Sequence, residues 1–460
     1  MLGAALAASA LFATEALASS RARYGGTLRA AVAGRSPEAD PALADSPWDA
    51  TLLSLTASAM CRLDEARRIR PVLASEISWQ GPLKLRLALR PGLKFDNGTA
   101  LSARDAVASW SRLGEPASLS PYRALLFPLP GEGRRLSVAG SPQSLEFSLA
   151  FPWPDLAGSL CHPSLAIQAA SGTGRRGIGP FKPSSLPGEL EANLGFPLGR
   201  PFVDRLAVTL TDERGAARLL SLRQAQLAIG NAAPANPRRS PGLFATYLAF
   251  RVDRAGTDFR QAFEATIDRE DLTRFFVPAP SWAMPSLLPP ALMAQEPAPR
   301  PPRPTRPSGR ALTLMFDQSL PEQRLVAERL QVRLHDLKYA IALRPAARAQ
   351  LRAAWASGNY DLMLHAVLLP PFAGPALAVA LELAGRHELL SAELPPIGAL
   401  PQAADRQRAA VDRARALLPS LPLIPLYAQA VGAVVSDDLA AFAFDGQGLP
   451  ALDDAFLLPE

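Results

Sequence analysis

Alternating apolar and charged residues mark a strand in the first quarter of the chain. Leucine occupies every second position from Leu83 to Leu89, with Lys84 and Arg86 between the leucines. A strand with one buried face has this period of two, because successive side chains point to opposite sides of the sheet. The pattern predicts a strand that ends at the turn Arg90-Pro91-Gly92, and the same alternation predicts another strand from Leu145 to Phe151.

Helix signals flank these strands. Ser102 and Asp105 have the spacing of a capping box ahead of apolar positions that continue through Trp110, which predicts a helix start. Nearer the N-terminus we expect a strand over 25–32 and an apolar helix from about Trp48 to Cys61.

The second half alternates strands with helices. Val326, Leu330, Leu334 and Leu337 share one helix face at near i, i+4 spacing. This helix belongs to a predicted series of a strand over 311–316, a helix over 322–338, a strand over 340–343, a helix over 346–356 and a strand over 361–367. A β-α-β-α-β order indicates parallel strands covered by helices. A further apolar strand is predicted from Leu423 to about Val435.

A proline-rich segment precedes this series. Six prolines lie within residues 296–310, and proline removes backbone donors and favours extended geometry. We interpret the segment as a surface linker within the second half.

The N-terminus has features of an export signal. An apolar stretch from Leu2 to Ala13 precedes Ala16-Leu17-Ala18, which has the small-x-small form that signal peptidase cleaves. We predict a signal peptide over residues 1–18, although it is atypical because Glu15 interrupts it and Arg21 is the first basic residue. These features predict export.

Composition excludes several classes of protein. The 460 residues are 48% hydrophobic and 20% charged, with a net charge of +6, which is the balance of a folded globular chain. The basic residues are dispersed among acidic ones, so we expect no nucleic-acid partner. Four scattered histidines and two cysteines, Cys61 and Cys161, provide no metal-ligand spacing. The cysteines permit at most one disulfide, and His365, in an apolar run, is expected to be a packed core histidine.

Motifs for catalysis are missing or out of context. Gly172 to Gly177 has the letters of a dinucleotide fingerprint, but Ile178-Gly179-Pro180 follows where a helix would have to begin. A turn fits better. No phosphate loop, nucleophile elbow or zinc-protease motif is found, so we predict that the protein is not an enzyme and needs no cofactor. An exported hydrolase is kept as an alternative for which no catalytic residue can be named.

Several segments in fixed order resemble the family 5 extracellular solute-binding proteins, the periplasmic receptors of peptide, nickel and related importers. The most specific is Leu89 to Gly98 followed by Leu101 to Val107; Gly177 to Phe181 resembles the family's Gly-x-Gly-Pro-Phe turn. The remaining matches are Gly26 to Leu28, Asp40-Pro41, Ile69 to Ala74 with Trp79, Phe259 to Ala262, Ile267 to Glu270, Leu288 to Pro290, Gly358 to Met363 and Ile424 to Tyr427.

The resemblance implies a two-lobed α/β protein of the periplasmic-binding-protein type, with mixed sheets and a cleft between the lobes. We expect lobe 1 over 19–250, lobe 2 over 251–427 and a return to lobe 1 over 428–460. Such a receptor closes on a peptide-like or other small solute by hinge bending and delivers it to the membrane permease of an ABC importer. A monomer is expected.

The chain departs from the family where peptide binders hold charged ligand ends. The segment after the strand over 361–367, Val367 to Pro375, contains neither the Trp nor the acidic residue that would resemble an amine anchor. Asp317 to Pro321 contains no arginine to pair with a ligand carboxylate. We therefore expect free zwitterionic dipeptides to bind poorly, because unpaired charges are costly to desolvate.

Four residues are candidates for ligand contact. Gln318, Leu368 and Phe372 follow lobe-two strands at the sheet edge where α/β proteins bind ligands, and Trp282 is added by the resemblance. Each has the alternative role of a packed loop anchor.

The alternative function of the protein is that of a diverged sensor or scaffold that has lost its ligand anchors.

Overall fold

The computed structural model describes residues 22–34, 38, 40–115, 118–129, 141–170, 177–230, 238–256, 258–293 and 311–459. The predicted signal peptide over 1–18, the proline-rich segment over 296–310 and Gly172 to Arg176 lie outside these residues.

Two large mixed sheets organise the described chain. Sheet A has seven strands, in spatial order Arg238–Arg239, Gly432–Val435, Leu227–Gly230, Thr27–Ala33, Arg205–Thr211, Glu189–Ala192 and Phe181–Pro183. Sheet B has six strands, in spatial order Ser281–Ala283, Leu423–Gln429, Phe244–Phe250, Leu362–Leu368, Ala311–Asp317 and Ala340–Ala346.

Smaller strand pairings complete the sheets. Sheet C has three antiparallel strands, Ala74–Trp79, Lys84–Leu89 and Ser144–Ser148. The two-stranded pairs are Cys61–Leu63 with Ile69–Pro71, Leu439–Ala440 with Phe456–Leu457, and Ala443–Phe444 with Pro450–Ala451.

Helices cover these sheets. The α-helices are Pro47–Thr56, Ala103–Gly114, Leu156–Ser159, Glu213–Ser221, Val252–Ala255, Phe259–Thr266, Arg269–Phe275, Pro321–Asp336, Arg348–Ser357, Ala373–Leu383, His387–Gly398 and Ala403–Leu417. Short 3-10 helices lie at Pro41–Leu43, Pro121–Leu126, Pro163–Leu165, Pro290–Leu292 and Leu418–Ser420.

Most predicted elements are present with shifted ends. Ala311–Asp317 pairs in parallel with both Ala340–Ala346 and Leu362–Leu368, so the β-α-β-α-β prediction is confirmed. The helix expected over 48–61 ends at Thr56, because Ala57 is extended and Cys61 begins a strand. The last strand, expected from Leu423 to Val435, is two strands in different sheets.

Each large sheet has its own core. Leu28, Leu206 and Leu227 of sheet A pack with Leu55 of helix Pro47–Thr56; we call this assembly lobe 1. Sheet B packs one face on helices Phe259–Thr266 and Pro321–Asp336; we call sheet B with its helices lobe 2. Its other face shares a core with apolar residues between Met60 and Ile167.

The chain crosses between the lobes at two adjacent points. Strand Phe244–Phe250, which the predicted boundary at 250 places in lobe 1, lies in the middle of sheet B. The crossings are therefore near Ser240 to Leu243 and at Ala430-Val431, and Ser240 N–H donates to Val431 O at 2.9 Å. The division of the chain at residues 250 and 427 stays a prediction.

Candidate functional site

The two lobes face each other at one end of sheet B. Strands Ala311–Asp317 and Leu362–Leu368 end there, and helix Arg348–Ser357 covers this end on the side of lobe 1. Loops at the carboxyl ends of parallel strands are where open α/β sheets bind ligands. The opposing surface of lobe 1 is formed by Glu38 and by the residues from Asp40 to the first turn of helix Pro47–Thr56.

Ion pairs join the lobes directly. Arg348 Nη1 lies 2.6 Å from Asp49 Oδ2 and 3.4 Å from Asp45 Oδ1. Arg352 Nη2 lies 3.3 Å from Asp45 Oδ2 and donates to the Leu43 carbonyl at 2.8 Å. The Asp49 side chain is fully buried, and those of Arg348 and Arg352 are only 17% and 12% exposed. This burial makes the pairs less sensitive to solvent screening than surface pairs.

Local structure fixes both sides of this contact. Ser46 caps helix Pro47–Thr56 in a capping box with Asp49, and the Ser46 hydroxyl donates to Asp49 Oδ2 at 2.6 Å. The capping bond holds the carboxylate that Arg348 meets. Arg348 and Arg352 are one turn apart in their helix and point the same way. Burial lowers the pKa of Arg348, but Asp49 and Asp45 outweigh burial and the pKa is raised overall.

His365 lies beside these ion pairs at a small cavity. The cavity is also lined by Asp45, Asp317, Arg348 and Arg352, and its volume is about 40 Å³. Nε2 of His365 is buried and forms no hydrogen bond within the described chain. Burial, reinforced by the positive charge of Arg352, lowers the pKa of His365 to about 4, so the imidazole is neutral at pH 7. The cavity has room for a few water molecules.

A second group of polar side chains is buried at the same end of sheet B. Thr246 and Tyr427 face each other across paired strands, and Gln429 pairs with Phe244 two residues further along. Both polar atoms of Gln429 are buried without a hydrogen-bond partner among the described residues, and the buried Thr246 and Tyr427 hydroxyls have no partner there beyond each other. Burial raises the pKa of Tyr427, Glu322 raises it further, and Thr246 offsets only part of the rise; Tyr427 is therefore neutral.

The crossings beside this group have the features of a hinge. Gly242 has φ +70°, a conformation that favours glycine. A Cβ at this position would lie 2.5 Å from Cζ3 of Trp282, so the indole ring also leaves no space for a side chain. Val431 N–H donates to the Ser240 hydroxyl at 2.8 Å, which ties one crossing to the other.

The four predicted ligand residues have different environments. Gln318 is exposed at the strand end, and Trp282, 39% exposed, lies on the edge strand against Gly242. Leu368 is 3% exposed in the core, and its backbone bonds Tyr122 and His162. Phe372 is half-buried, and its ring lies against Gly158. Gln318 follows strand Ala311–Asp317 and Leu368 ends the adjacent strand, whereas the strand of Trp282 lies three places from that of Leu368. Ligand contact by any of the four stays a prediction.

Sequence reasoning missed the charged residues of the contact. The i, i+4 spacing of Arg348 and Arg352, in the helix after a parallel strand, is a signal that could have identified them.

Asp317, at the end of its strand, accepts a hydrogen bond from the Ser319 backbone N–H at 2.8 Å. Its carboxylate therefore stabilises the turn after its strand.

Two further searches concern metals and membranes. The described residues contain no group of three or more His, Cys, Asp or Glu side chains placed to hold a metal ion. Among the helices described by the structure, none has both the length and the apolar character needed to cross a bilayer.

The two cysteines form a disulfide. Cys61 and Cys161 are 100 residues apart and bridge strand Cys61–Leu63 to the segment after helix Leu156–Ser159. The sequence alone left this pairing open.

Comparison with known proteins places the chain in a family. The model of bacterial extracellular solute-binding proteins, family 5 middle, matches residues 41–378. The uncharacterized protein YhjP of Bacillus subtilis (strain 168) is 28% identical over 202 residues. That match covers 42% of this chain and 33% of YhjP, so the chain spans about a third of this relative.

Solved structures share the fold. A periplasmic binding protein associated with an ABC transporter, DppA from Helicobacter pylori in complex with the peptide STSA, has a TM-score of 0.77 at 15% identity, over 95% of this chain and 99% of DppA. The Escherichia coli murein tripeptide binding protein MppA scores 0.75 at 16% identity over 94% and 99% of the two chains. Its unliganded open form scores 0.61 at 16% identity over 94% and 98% of the two chains. The predicted two-lobed α/β fold is confirmed, and this chain belongs to the bacterial extracellular solute-binding proteins, family 5.

Proposed function

We propose that this protein is exported to the periplasm, where it binds a small, peptide-like solute between its lobes and presents it to the permease of an ABC importer. Family membership supports the role of substrate-binding component. The disulfide supports export, because such bonds persist in oxidising compartments. The protein works as a monomer without catalysis or a cofactor of its own, and without a nucleic-acid partner.

The buried polar group at Thr246, Tyr427 and Gln429 carries the proposal. A buried polar atom without a partner costs about 1–3 kcal/mol, and these side chains adjoin the hinge where the lobes separate. A solute that enters the opened cleft can satisfy them. Two neutral hydroxyls and a carboxamide supply both donors and acceptors, so the matching solute carries uncharged donors and acceptors of its own, as a peptide backbone does.

The charged side chains near this group, Glu322 included, are already engaged by other residues of the chain. Arg348 and Arg352 are engaged by Asp45 and Asp49 of the opposite lobe, and residues 367–375 contain no acid. Free dipeptides are therefore expected to bind more weakly than dipeptides capped as N-acetyl amides.

Calorimetric titration of both ligand classes tests the proposal. A bound capped dipeptide should lose at least tenfold in affinity in Gln429→Ala and keep its affinity in the matched control Gln80→Ala, an exposed glutamine of sheet C's turn. Micromolar binding of free dipeptides, or equal binding by Gln429→Ala and the parent, would contradict the assignment.

The direct ion pairs and the small cavity favour one second candidate, a diverged sensor or scaffold. Native mass spectrometry of the protein purified from its own cells separates the two. A co-purifying solute identifies a receptor, while no bound solute and no thermal shift across a solute library identify a scaffold.

A further inference from the structure

We propose that a cavity beside the crossings between the lobes is a binding site for a small multivalent oxyanion, such as a polycarboxylate or a phosphate. Its volume of about 390 Å³ falls within the roughly 300–1,000 Å³ of small-molecule sites. Three separate segments enclose it. They are the turn with Glu65 and Arg67, the residues Arg238 to Pro241 that lead into one crossing, and Phe442 to Gly446 of the C-terminal return.

The lining has an excess of positive charge. Its acidic residues are Glu65 and Asp445, and its basic residues are Arg67, Arg238 and Arg239. Oδ1 of Asp445 accepts from two backbone N–H groups of its own turn, at 2.8 and 3.0 Å. Burial raises the pKa of Asp445 to about 7, so this carboxylate is partly neutral at pH 7. Three positive charges therefore stand against fewer than two negative ones.

The three arginines form no ion pair within the described chain. Arg67 Nη1 donates to the Pro371 carbonyl at 3.3 Å, and Arg238 Nη1 donates to the Phe442 carbonyl, so both meet uncharged acceptors. The Arg239 side chain has no hydrogen bond or ion pair among the described residues. Since a guanidinium has five N–H donors, each arginine keeps donors for an oxyanion.

Arg67 shows most clearly what an anion would supply. The residue is half-buried, and burial lowers the pKa of Arg67 with no carboxylate to offset the effect. Its backbone has φ +59°, a conformation that residues other than glycine rarely adopt, and such conformations cluster at ligand-binding sites. A bound oxyanion would give the half-buried guanidinium the charged partner that it lacks.

Close packing fixes the walls of the cavity. A Cβ at Gly446 would lie only 3.2 Å from Cα of Arg67, so the C-terminal turn lies directly on the turn that carries this arginine. Cζ of Arg238 lies 5.8 Å from the ring centroid of Phe442, and Phe442 packs edge-on against Phe444 at 5.3 Å between centroids. Side chains that are already held in place lose less freedom when a ligand binds.

The arginines determine the class of ligand. The planar fork of a guanidinium matches the oxygens of carboxylates and phosphates, whereas a halide offers no such pair of acceptors. Three cations favour a ligand with two or three negative charges over a monovalent one. None of the lining residues belongs to the group of Thr246, Tyr427 and Gln429, so the proposal does not depend on the solute of the proposed function.

Isothermal titration calorimetry of the full chain with citrate and with inorganic phosphate, at constant ionic strength, tests the site. At least one of these anions should bind at one site per chain with a Kd below about 1 mM. Acetate, a monovalent carboxylate, should bind about tenfold more weakly or not at all. The stronger of the two probes shows whether a polycarboxylate or a phosphate fits the cavity.

Charge substitutions of opposite sign locate the binding. Arg238→Gln/Arg239→Gln should weaken it about tenfold or more, because charged donors are lost. Glu65→Gln should strengthen it about two- to fivefold, because an opposing charge is removed. Arg344→Gln, at an exposed arginine of strand Ala340–Ala346, should bind like the parent. Circular dichroism checks folding, and Arg239→Gln replaces the double variant if that variant does not fold.

Three outcomes would overturn the proposal. They are no saturable binding of either anion, equal affinity of the arginine variant and the parent, and weaker binding by Glu65→Gln. Binding of a capped dipeptide is measured on the same samples and should not differ between the parent and the arginine variant. The proposed function and this anion site can therefore fail separately.

Discussion

Breaking the Cys61–Cys161 disulfide should lower the free energy of unfolding by several kcal/mol. The bond closes a loop across a sequence separation of 100 residues. In the chain-entropy description, a cross-link over such a loop restricts the unfolded chain by about 4–5 kcal/mol at 25 °C. Both cysteines are buried, at 2% and 7% exposure, so no flexible surface region absorbs the loss.

The closed loop contains a substantial part of the fold. Sheet C and helix Ala103–Gly114 lie between the two cysteines. His162, the next residue after Cys161, bonds the Leu368 carbonyl of sheet B. Loss of the cross-link should therefore loosen the attachment of this region to lobe 2 as well as its own packing. Residual structure in the unfolded chain would make the measured loss smaller than the entropic value.

Urea unfolding followed by circular dichroism measures the loss. Dithiothreitol should lower the midpoint of the parent to that of Cys61→Ala/Cys161→Ala, and it should leave the double variant unchanged. Fluorescence should be recorded in parallel, because separate transitions of the lobes would break the two-state assumption. Thiol titration should first show that the reduced parent has two free thiols. If its urea midpoint is then unchanged from that of the oxidised parent, the reasoning is refuted.

Three further predictions concern buried charge, the hinge and acid. Glu382 is 1% exposed and pairs with both Arg123 and His387, so replacing both partners in Arg123→Met/His387→Leu should lower the free energy of urea unfolding by about 3–5 kcal/mol, and a loss under about 1 kcal/mol would contradict a buried charge cluster. Gly242→Ala should lower the melting temperature and alter Trp282 fluorescence, because Cβ would meet the indole ring; unchanged values would count against the close approach. Burial lowers the pKa of His162 to about 3, so the unfolded chain takes up the proton first, and between pH 6.5 and pH 5.0 this group should lower the free energy of unfolding by about 2 kcal/mol. His162→Gln should remove this share of the slope and leave the share of His365, whose pKa is lowered to about 4.

The elements that the sequence predicted correctly have strong periodicity. Leu85, Leu87 and Leu89 alternate because one face of sheet C is buried, and helix Pro321–Asp336 has its buried residues at i, i+4 spacing. The split between Leu423–Gln429 and Gly432–Val435 was not predictable from this pattern. Both strands are apolar, and the chain changes sheets at Ala430-Val431, where Ser240 from a distant segment supplies the partner.

The candidate site was harder to predict for a related reason. Arg348 and Asp49 are 299 residues apart, and no local pattern records such a pair. Gln429 ends an apolar strand, so its sequence context resembles a core, and only the three-dimensional structure shows that its amide has no partner among the described residues. The family resemblance predicted the two-lobed fold correctly, but the rule that ligands bind at the carboxyl ends of strands directed attention to Leu368, whose backbone and side chain are both engaged in packing.

The ion pairs between the lobes change what a solute must do to close them. In a receptor whose empty lobes separate freely, the ligand supplies the whole preference for the closed state through contacts with both sides. Here Arg348, Arg352, Asp45 and Asp49 already supply part of it, so a solute that enters must first meet the cost of separating them. Its apparent affinity is then reduced by the fraction of molecules that are open.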